Sequence, residues 1–199
     1  MHTPPGDASS SYLLYKVGDT VRIMRGAAHG RIGTVISVDQ GPMTRYRVQF
    51  DAHSYTDVGE YQLVGAYAPP ALLAGARRAL ADRLHIGVDD IEVVQSEGTG
   101  WPDSGLGCKE NGGFYTGAEE MGYRIVLQAQ GSRFTYHTTE RRSYYRLAGG
   151  AGWYTIVLCV AGHPPKLHDQ DKSAYKVVDY RGQVFESLTR FDEAYRRRD

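Results

Sequence analysis

The sequence predicts a mainly β protein of the α+β class: a small antiparallel barrel, then one helix on an antiparallel sheet, then a short β-hairpin and helix. Short runs that alternate apolar and polar residues recur along most of the chain. They are separated by Gly and Asp, a pattern typical of strands joined by tight turns. The clearest helical spacing is confined to residues 69–86. Sheets are therefore expected to form most of the structure.

Composition divides the chain into four segments. Residues 1–11 are rich in Pro, Gly and Ser and are predicted to be flexible. Residues 12–66 form the predicted barrel, residues 67–162 the α+β domain with the loop WPDSGLGC, and residues 163–199 the β-hairpin and C-terminal helix. The sequence leaves open whether these segments pack as one body.

Charge and hydropathy limit the classes of partner. The 23 basic and 23 acidic residues cancel, so the net charge favours neither nucleic acid nor an anionic membrane. The longest apolar run, WYTIVLCVAG, is about half the length of a membrane helix, so no membrane partner is expected. The first residues do not resemble a signal peptide, and a cytoplasmic location is predicted.

The barrel prediction comes from four short apolar runs, which indicate strands joined by tight turns. A small sheet of such strands is expected to close its edges by forming a barrel. The runs are Val17, Val21 and Ile23; Ile32, Val35, Ile36 and Val38; Tyr46, Val48 and Phe50; and Leu63 with Val64.

The segment GDTVRIMRGAAHGRIGTVISV resembles the KOW motif of ribosomal and transcription-factor barrels and, more broadly, SH3-like barrels. In KOW proteins, basic and polar loop residues contact RNA or protein, and the resemblance implies that role for Arg25, His29 and Arg31. Residues 16–64 carry six basic and five acidic side chains, whereas a phosphate-binding surface needs a clear basic patch. A protein partner is therefore predicted.

The alternative partner is nucleic acid, bound by the barrel. Its phosphates would be held by Arg25, Arg31, Arg45 and Arg47, with Tyr46 as a stacking ring.

The second module begins with a helix in PPALLAGARRALADRLHI, with proline just inside its start and Gly87 just past its end. Strands are predicted at IEVVQS, GYRIVLQAQ and RFTYHTT, the last two joined by a tight hairpin at QGS. A further strand is predicted within YYRLAGGAGWYTIVLCVAG. In the tail, strand, turn and strand precede a short helix from Leu188, capped by Ser187 or Thr189.

The loop WPDSGLGC combines residues that favour an ordered connection over the end of the sheet. Trp101 supplies a large apolar surface, and Pro102 restrains the backbone beside it. Asp103 is expected to accept backbone N–H groups in an Asx-turn, while Gly105 and Gly107 permit positive φ.

The same loop and the strands that follow resemble a bacterial domain of uncharacterised function, over about Ala71 to Thr139. Its members share a helix, WPD-x-x-LGC, GY-x-I-x-L and Y-x-YHT. Its signature residues here are Trp101, Pro102, Asp103, Leu106, Gly107, Cys108, Gly122, Tyr123, Tyr136, His137 and Thr138. The resemblance implies a module, without an activity.

The sequence allows three states for Cys108. Relatives of that domain look exported and place a second cysteine soon after YHT, but this chain has none until Cys159. Cys108 is therefore predicted to be a free buried thiol; a bridge to Cys159 is one alternative. The other is a nucleophilic Cys108 with His137 as its base and Asp103 or Glu140 orienting the histidine.

The leading functional prediction is a non-enzymatic interaction or regulatory protein that binds a protein partner. No metal or cofactor is expected, because the sequence has no paired metal ligands, Walker loop, HExxH, nucleophile elbow or dinucleotide fingerprint.

Overall fold

The computed structural model describes residues 13–108, 116–141, 153–159, 175–179 and 181–196. It contains two antiparallel sheets and two α-helices, which confirms the predicted mainly β, α+β fold class. Within the described residues, no helix is both long enough and apolar enough to cross a membrane. The predicted flexible N-terminus lies outside the described residues.

The N-terminal sheet has five strands in the order β4-β3-β2-β1-β5. They are β1 (Thr20–Ile23), β2 (Ile32–Asp39), β3 (Arg45–Asp51), β4 (Ser54–Gly59) and β5 (Leu63–Gly65). Alternate residues on these strands form one buried cluster, because successive strand side chains point to opposite faces. Its strand members are Val21, Ile23, Val35, Tyr46, Val48, Val58 and Leu63.

Two residues of the second predicted run face solvent instead. The β2–β3 register passes from Val35 to Ser37 and skips Ile36, which is a β-bulge. Ile36 and Ile32 are each 39 % exposed. Ile32 and Ile36 lie on the solvent-facing side because they alternate with buried Gly33 and Val35, and beyond the bulge Val38 returns to the core side.

The C-terminal sheet has six strands in the order β11-β10-β9-β8-β7-β6, each paired with its sequence neighbour. The strands are β6 (Glu92–Trp101), β7 (Glu120–Ala129), β8 (Ser132–Arg141), β9 (Trp153–Cys159), β10 (Tyr175–Asp179) and β11 (Val184–Phe185). The predicted tail therefore adds its strands to the central sheet. The boundary placed at residue 162 remains a prediction that the sheet itself does not mark.

Helix α1 (Pro70–Leu84) packs on this sheet through small and branched residues. Leu72, Ala76 and Leu80 are fully buried with strand residues such as Ile125 and Leu127. Pro70 occupies the first turn as predicted, but the left-handed residue that ends the helix is His85 (φ 55°). Gly87, expected in that role, has an extended backbone.

Two local predictions are confirmed. The β7–β8 hairpin turns at Gln130 and Gly131, both with positive φ, as a two-residue type I′ turn requires. Helix α2 (Leu188–Arg196) begins where predicted, and the Ser187 hydroxyl accepts the Arg190 N–H at 3.3 Å.

The two sheets are joined directly rather than by the linker alone. The Gly98 N–H of β6 donates to the Ala66 carbonyl at 2.8 Å, and a Cβ at Gly98 would overlap the carbonyl oxygen of Gly65. Met24, at the end of β1, packs into the cluster that contains helix α1. These contacts dock the N-terminal sheet against the α+β module.

Candidate functional site

Two regions bring predicted site residues together: a groove on the N-terminal sheet, and the loop that follows Trp101. The groove begins with the β1–β2 connection, which Gly26 (φ 90°) and Gly30 (φ 82°) bend through left-handed backbone. The Gly30 N–H donates to the Ile23 carbonyl at 2.7 Å and closes this loop. Arg25 and Arg31 lie on either side of it.

The groove has a volume of about 310 Å³. The loop between β1 and β2 forms one wall, and strand β4 forms the other. Its lining includes Arg25, Arg31, Phe50, Tyr55, Asp57 and Val58.

Three arginines lie over or beside aromatic rings at this groove. The guanidinium carbon of Arg31 is 3.7 Å from the Phe50 ring centroid, and that of Arg47 is 4.7 Å from the Tyr55 centroid. Arg25 lies 6.0 Å from the ring of Tyr61, at the limit of a cation–π contact. The cations hold the rings as an ordered, amphipathic surface.

Each of these arginines also has a carboxylate neighbour. Arg47 donates to both oxygens of Asp57, each at 2.8 Å. This side-chain hydrogen bond lowers the pKa of Asp57 and raises that of Arg47. Arg25 contacts Glu119 of the second module at 2.5 Å, and Arg31 lies 3.9 Å from Asp51. The positive charges of the arginines at the groove are therefore offset by neighbouring carboxylates.

The remaining barrel residues are placed differently. His29 is exposed at the tip of the β1–β2 loop and does not line the groove. Arg45 is exposed on β3 and shares with Arg47, Ser37 and Asp39 a smaller polar recess of about 180 Å³.

Tyr46 is misassigned by the stacking hypothesis. It is fully buried in the N-terminal core, where its ring meets Tyr15 edge-on at 5.8 Å. Its hydroxyl donates to Glu60 at 3.1 Å, and burial, with the Glu60 charge, raises its pKa to about 12. The period-two run in β3 points this ring inward, so it presents no face to a base.

The second region is the loop after β6. Trp101 is buried, its indole N–H donates to the Thr138 carbonyl at 2.8 Å, and its ring stacks on His137 at a centroid distance of 4.2 Å. Asp103 is buried and accepts the Gly105 N–H at 2.9 Å, which is the predicted Asx-turn. Pro102 is exposed on its outer side.

The end of this loop has left-handed backbone at two successive residues. Leu106 is buried with φ 52°, an uncommon conformation for a branched residue, and Gly107 follows with φ 71°. A Cβ at Gly107 would lie 3.3 Å from the indole of Trp101. The close approach explains the glycine and directs the Leu106 carbonyl to Nδ1 of His137, at 2.5 Å.

The predicted free thiol at Cys108 is wrong. Cys108 is disulfide-bonded, and the only other cysteine in the sequence is Cys159. The backbone register pairs Cys159 with Thr135, two residues before His137 on β8, so the sheet brings the two distant cysteines to one region. The bridge that the sequence left as an alternative is therefore the arrangement found; sequence spacing alone could not select it, because it depends on the order of strands.

The Cys–His catalytic alternative loses its nucleophile for the same reason. Sγ of Cys108 lies 3.1 Å from Nδ1 of His137, but a disulfide sulfur has no thiolate to offer. Burial lowers the pKa of His137, and its Nδ1 is directed to the Leu106 carbonyl. Asp103 serves the loop backbone at Gly105, and the side chain of Glu140 lies outside the described residues.

The remaining signature residues have packing roles. A Cβ at Gly122 would overlap the Thr138 carbonyl oxygen, and the Tyr123 N–H donates to the Thr138 hydroxyl at 2.9 Å. Tyr136 lies in the core beneath helix α1, where burial raises its pKa. In the described part of the chain, no group of three or more His, Cys, Asp or Glu residues is arranged to hold a metal ion.

Sequence reasoning missed Phe50, Tyr55, Asp57 and Glu119 as neighbours of the predicted arginines. Phe50 had been read only as a core position, although it is partly exposed. Tyr55 is 59 % exposed on β4, and no spacing rule marks it. An exposed aromatic in a strand beside a KOW-like turn was the one available signal.

Comparison with known proteins identifies two segments. Residues 17–51 match the KOW motif, which is typical of proteins that bind nucleic acid or other proteins. Residues 73–147 match a domain of unknown function, DUF8738. No curated protein and no solved structure gives a significant match. The KOW resemblance is confirmed, and a family domain covers most of the region where one was expected. The WPD-to-YHT signature stays a prediction.

Proposed function

We propose that this chain is a non-enzymatic binding protein whose groove on the N-terminal sheet recognises a protein partner. The observation that carries the proposal is one concave surface where Arg31 lies over the half-buried ring of Phe50 and where Arg47, just beside it, lies over the exposed ring of Tyr55. Tyrosine and arginine in such settings supply much of the energy of protein–protein binding. Tyr55 and Tyr61 are 59 % and 67 % exposed, so both rings have area left to bury.

The ion pairs favour protein over nucleic acid. Binding to phosphates draws its affinity from cations that release counterions, and such a surface is usually rich in uncompensated Lys and Arg. Here Arg47 is neutralised by Asp57 in two-point contact, and Arg25 contacts Glu119. A polar but charge-balanced groove is closer to the chemistry of protein interfaces.

Nucleic acid is the second candidate, favoured by the KOW match alone. In that case Tyr55, rather than the buried Tyr46, would supply the stacking ring. Binding would then fall steeply with salt concentration.

Two structural assignments belong to the same proposal. We assign the N-terminal sheet to the SH3-like barrels, an assignment supported by the pairing of β1 with both β2 and β5. The cytoplasmic location stays a prediction, and the disulfide at Cys108 weighs against it, because the cytosol keeps most thiols reduced.

The test uses two tyrosines of equal exposure. Full-length wild type, Tyr55→Ser and Tyr67→Ser are compared in affinity capture from nuclease-treated lysate of the source organism. Any captured protein is then purified and titrated calorimetrically. Tyr67 is 63 % exposed and lies outside the groove, so its variant is the matched control. We expect Tyr55→Ser to weaken binding by about thirtyfold, the effect of a hot-spot residue, and Tyr67→Ser to leave it within about twofold.

Two results would contradict the proposal. One is a partner that binds both variants equally, which would place the interface elsewhere. The other is capture that disappears with nuclease and follows salt steeply, which would make the chain a nucleic-acid binder.

A further inference from the structure

Strand β4 is an edge of the N-terminal sheet. It pairs with β3 on one side, and in the described ranges no strand pairs with it on the other. Alternate residues of an edge strand therefore direct their backbone N–H and C=O groups away from the sheet. Such an edge is a ready template for one more strand.

The groove includes this edge. Four successive residues, Tyr55 to Val58, line it, together with Phe50 of the neighbouring strand β3. Because successive strand side chains alternate between faces, a surface touched by four in a row reaches the backbone edge of β4, and Phe50 extends it onto the sheet. The unpaired edge therefore opens into the groove.

The opposite wall leaves room for a main chain. Between Arg25 and Arg31 it is lined by Gly26, Ala27 and Ala28, none of which carries a bulky side chain. One end is closed by Gln62, whose amide donates to the Arg25 carbonyl at 3.3 Å. At about 310 Å³ the groove is at the lower end of ligand-pocket sizes, so it suits a short extended segment and not a folded domain.

The charges in the groove select the side chains of that segment. Both oxygens of the groove's acid, Asp57, are already bonded to Arg47. Arg31 is held loosely, at 3.9 Å from Asp51 and 3.4 Å from the Ser54 hydroxyl. Spare hydrogen-bonding capacity therefore lies with Arg31, and a carboxylate is its complementary group.

We propose that β4 receives an extended acidic segment of the partner protein as an added strand, with its backbone paired to Tyr55–Val58 and a carboxylate at Arg31. This inference rests on the proposed function and names the chemistry of its partner. Backbone pairing supplies affinity in this mode, and the side-chain contacts supply specificity.

The probes are three short acetylated peptides. The first alternates valine with glutamate, the second alternates valine with lysine, and the third is the glutamate peptide with methylated backbone nitrogens. Amide hydrogen exchange of the full chain is followed by NMR during titration with each peptide. We expect the glutamate peptide to slow exchange at the β4 amides that point away from β3. The lysine peptide and the methylated peptide should each bind at least about tenfold more weakly than the glutamate peptide.

A matched pair of charge reversals tests the role of Arg31. Arg31→Glu should reverse the preference from the glutamate to the lysine peptide. Arg45→Glu makes the same change in net charge on neighbouring β3, outside the groove, and should leave the preference unchanged.

Several results would overturn the inference. These are unchanged exchange in β4, equal binding of the methylated peptide, or protection of β4 by concentration-dependent dimerisation without peptide. Protection elsewhere by an oligonucleotide would also overturn it. If Tyr55→Ser weakens binding of the captured partner as expected while the peptides fail to bind, the groove function stands and only strand addition is wrong. If both fail, the proposed function fails as well.

Discussion

The groove and the Trp101 loop use similar residues in opposite ways. Both place an aromatic ring against a nitrogen-bearing side chain: Tyr55 beneath Arg47, and Trp101 on His137. Tyr55 is 59 % exposed, whereas Trp101 is 7 % exposed and has its N–H bonded inside the protein. The first ring retains surface to bury on binding, and the second has buried its surface on folding.

The difference shows why conspicuous residues are not the best guide to function. The residues that suggest catalysis in the sequence are Trp101, Asp103, Cys108 and His137. In the structure, the side chain of each contacts a neighbour in the loop or on β8. The groove residues are ordinary in type and keep unused surface. Exposure and spare hydrogen-bonding capacity therefore separate the proposed binding surface from the packed loop.

The largest expected effect separates the two aromatics directly. Trp101→Ala should lower the free energy of unfolding by about 3–5 kcal/mol, because it leaves a cavity and an orphaned Thr138 carbonyl. Tyr55→Ala, on the surface, should change it by less than about 0.5 kcal/mol. Urea unfolding measures both. Equal losses would erase the distinction between the two regions.

The disulfide should give the next largest effect. Reduction, or Cys108→Ser, should cost about 2–4 kcal/mol of unfolding free energy, by releasing a constraint on the unfolded chain. Timed thiol labelling with mass spectrometry checks the bond itself. We expect no labelling in native or denatured protein until reductant is added. Adding reductant to Cys108→Ser is the control and should cause no further loss; labelling of unreduced, denatured wild type would show free thiols.

Tyr46 sharpens the comparison within the N-terminal sheet. Tyr46→Phe removes the hydroxyl bonded to Glu60 and should lower the unfolding free energy by about 1 kcal/mol. Because the ring is buried, affinity for the partner should stay within about twofold. Titration of the variant with the captured partner, beside Tyr55→Ser, gives the answer. A binding loss as large as that of Tyr55→Ser would restore Tyr46 to the interface.

The smallest effect concerns the pH dependence of stability. Burial lowers the pKa of His137, so below its ordinary value of about 6.5 the unfolded chain binds a proton that the folded chain resists. The stability that neutral His137 contributes is therefore complete above about pH 6.5. It is lost as the pH falls from that value toward the lowered pKa of His137 in the folded protein. Unfolding free energies at several pH values should therefore fall less towards acid in His137→Gln than in wild type. Parallel curves would mean that the ring titrates freely.

Local sequence determined much of this protein. The strand runs around Val21, Val35 and Val48, the helix from Pro70, the hairpin at Gln130–Gly131 and the cap at Ser187 all depend on neighbours close along the chain. Periodicity and turn chemistry act over a few residues, so they can be predicted from sequence. The KOW turn belongs to the same class.

Only the tertiary structure determined which residues of these elements are buried, exposed or in contact. The bulge that turns Val38 back toward the core, the register that pairs Cys159 with Thr135, and the contact of Arg25 with Glu119 all depend on segments that are far apart in the sequence. Strand order and sheet docking set these distances. The same geometry turned a suspected thiol into a disulfide and a suspected stacking ring into core. It also placed an open strand edge beside two cations.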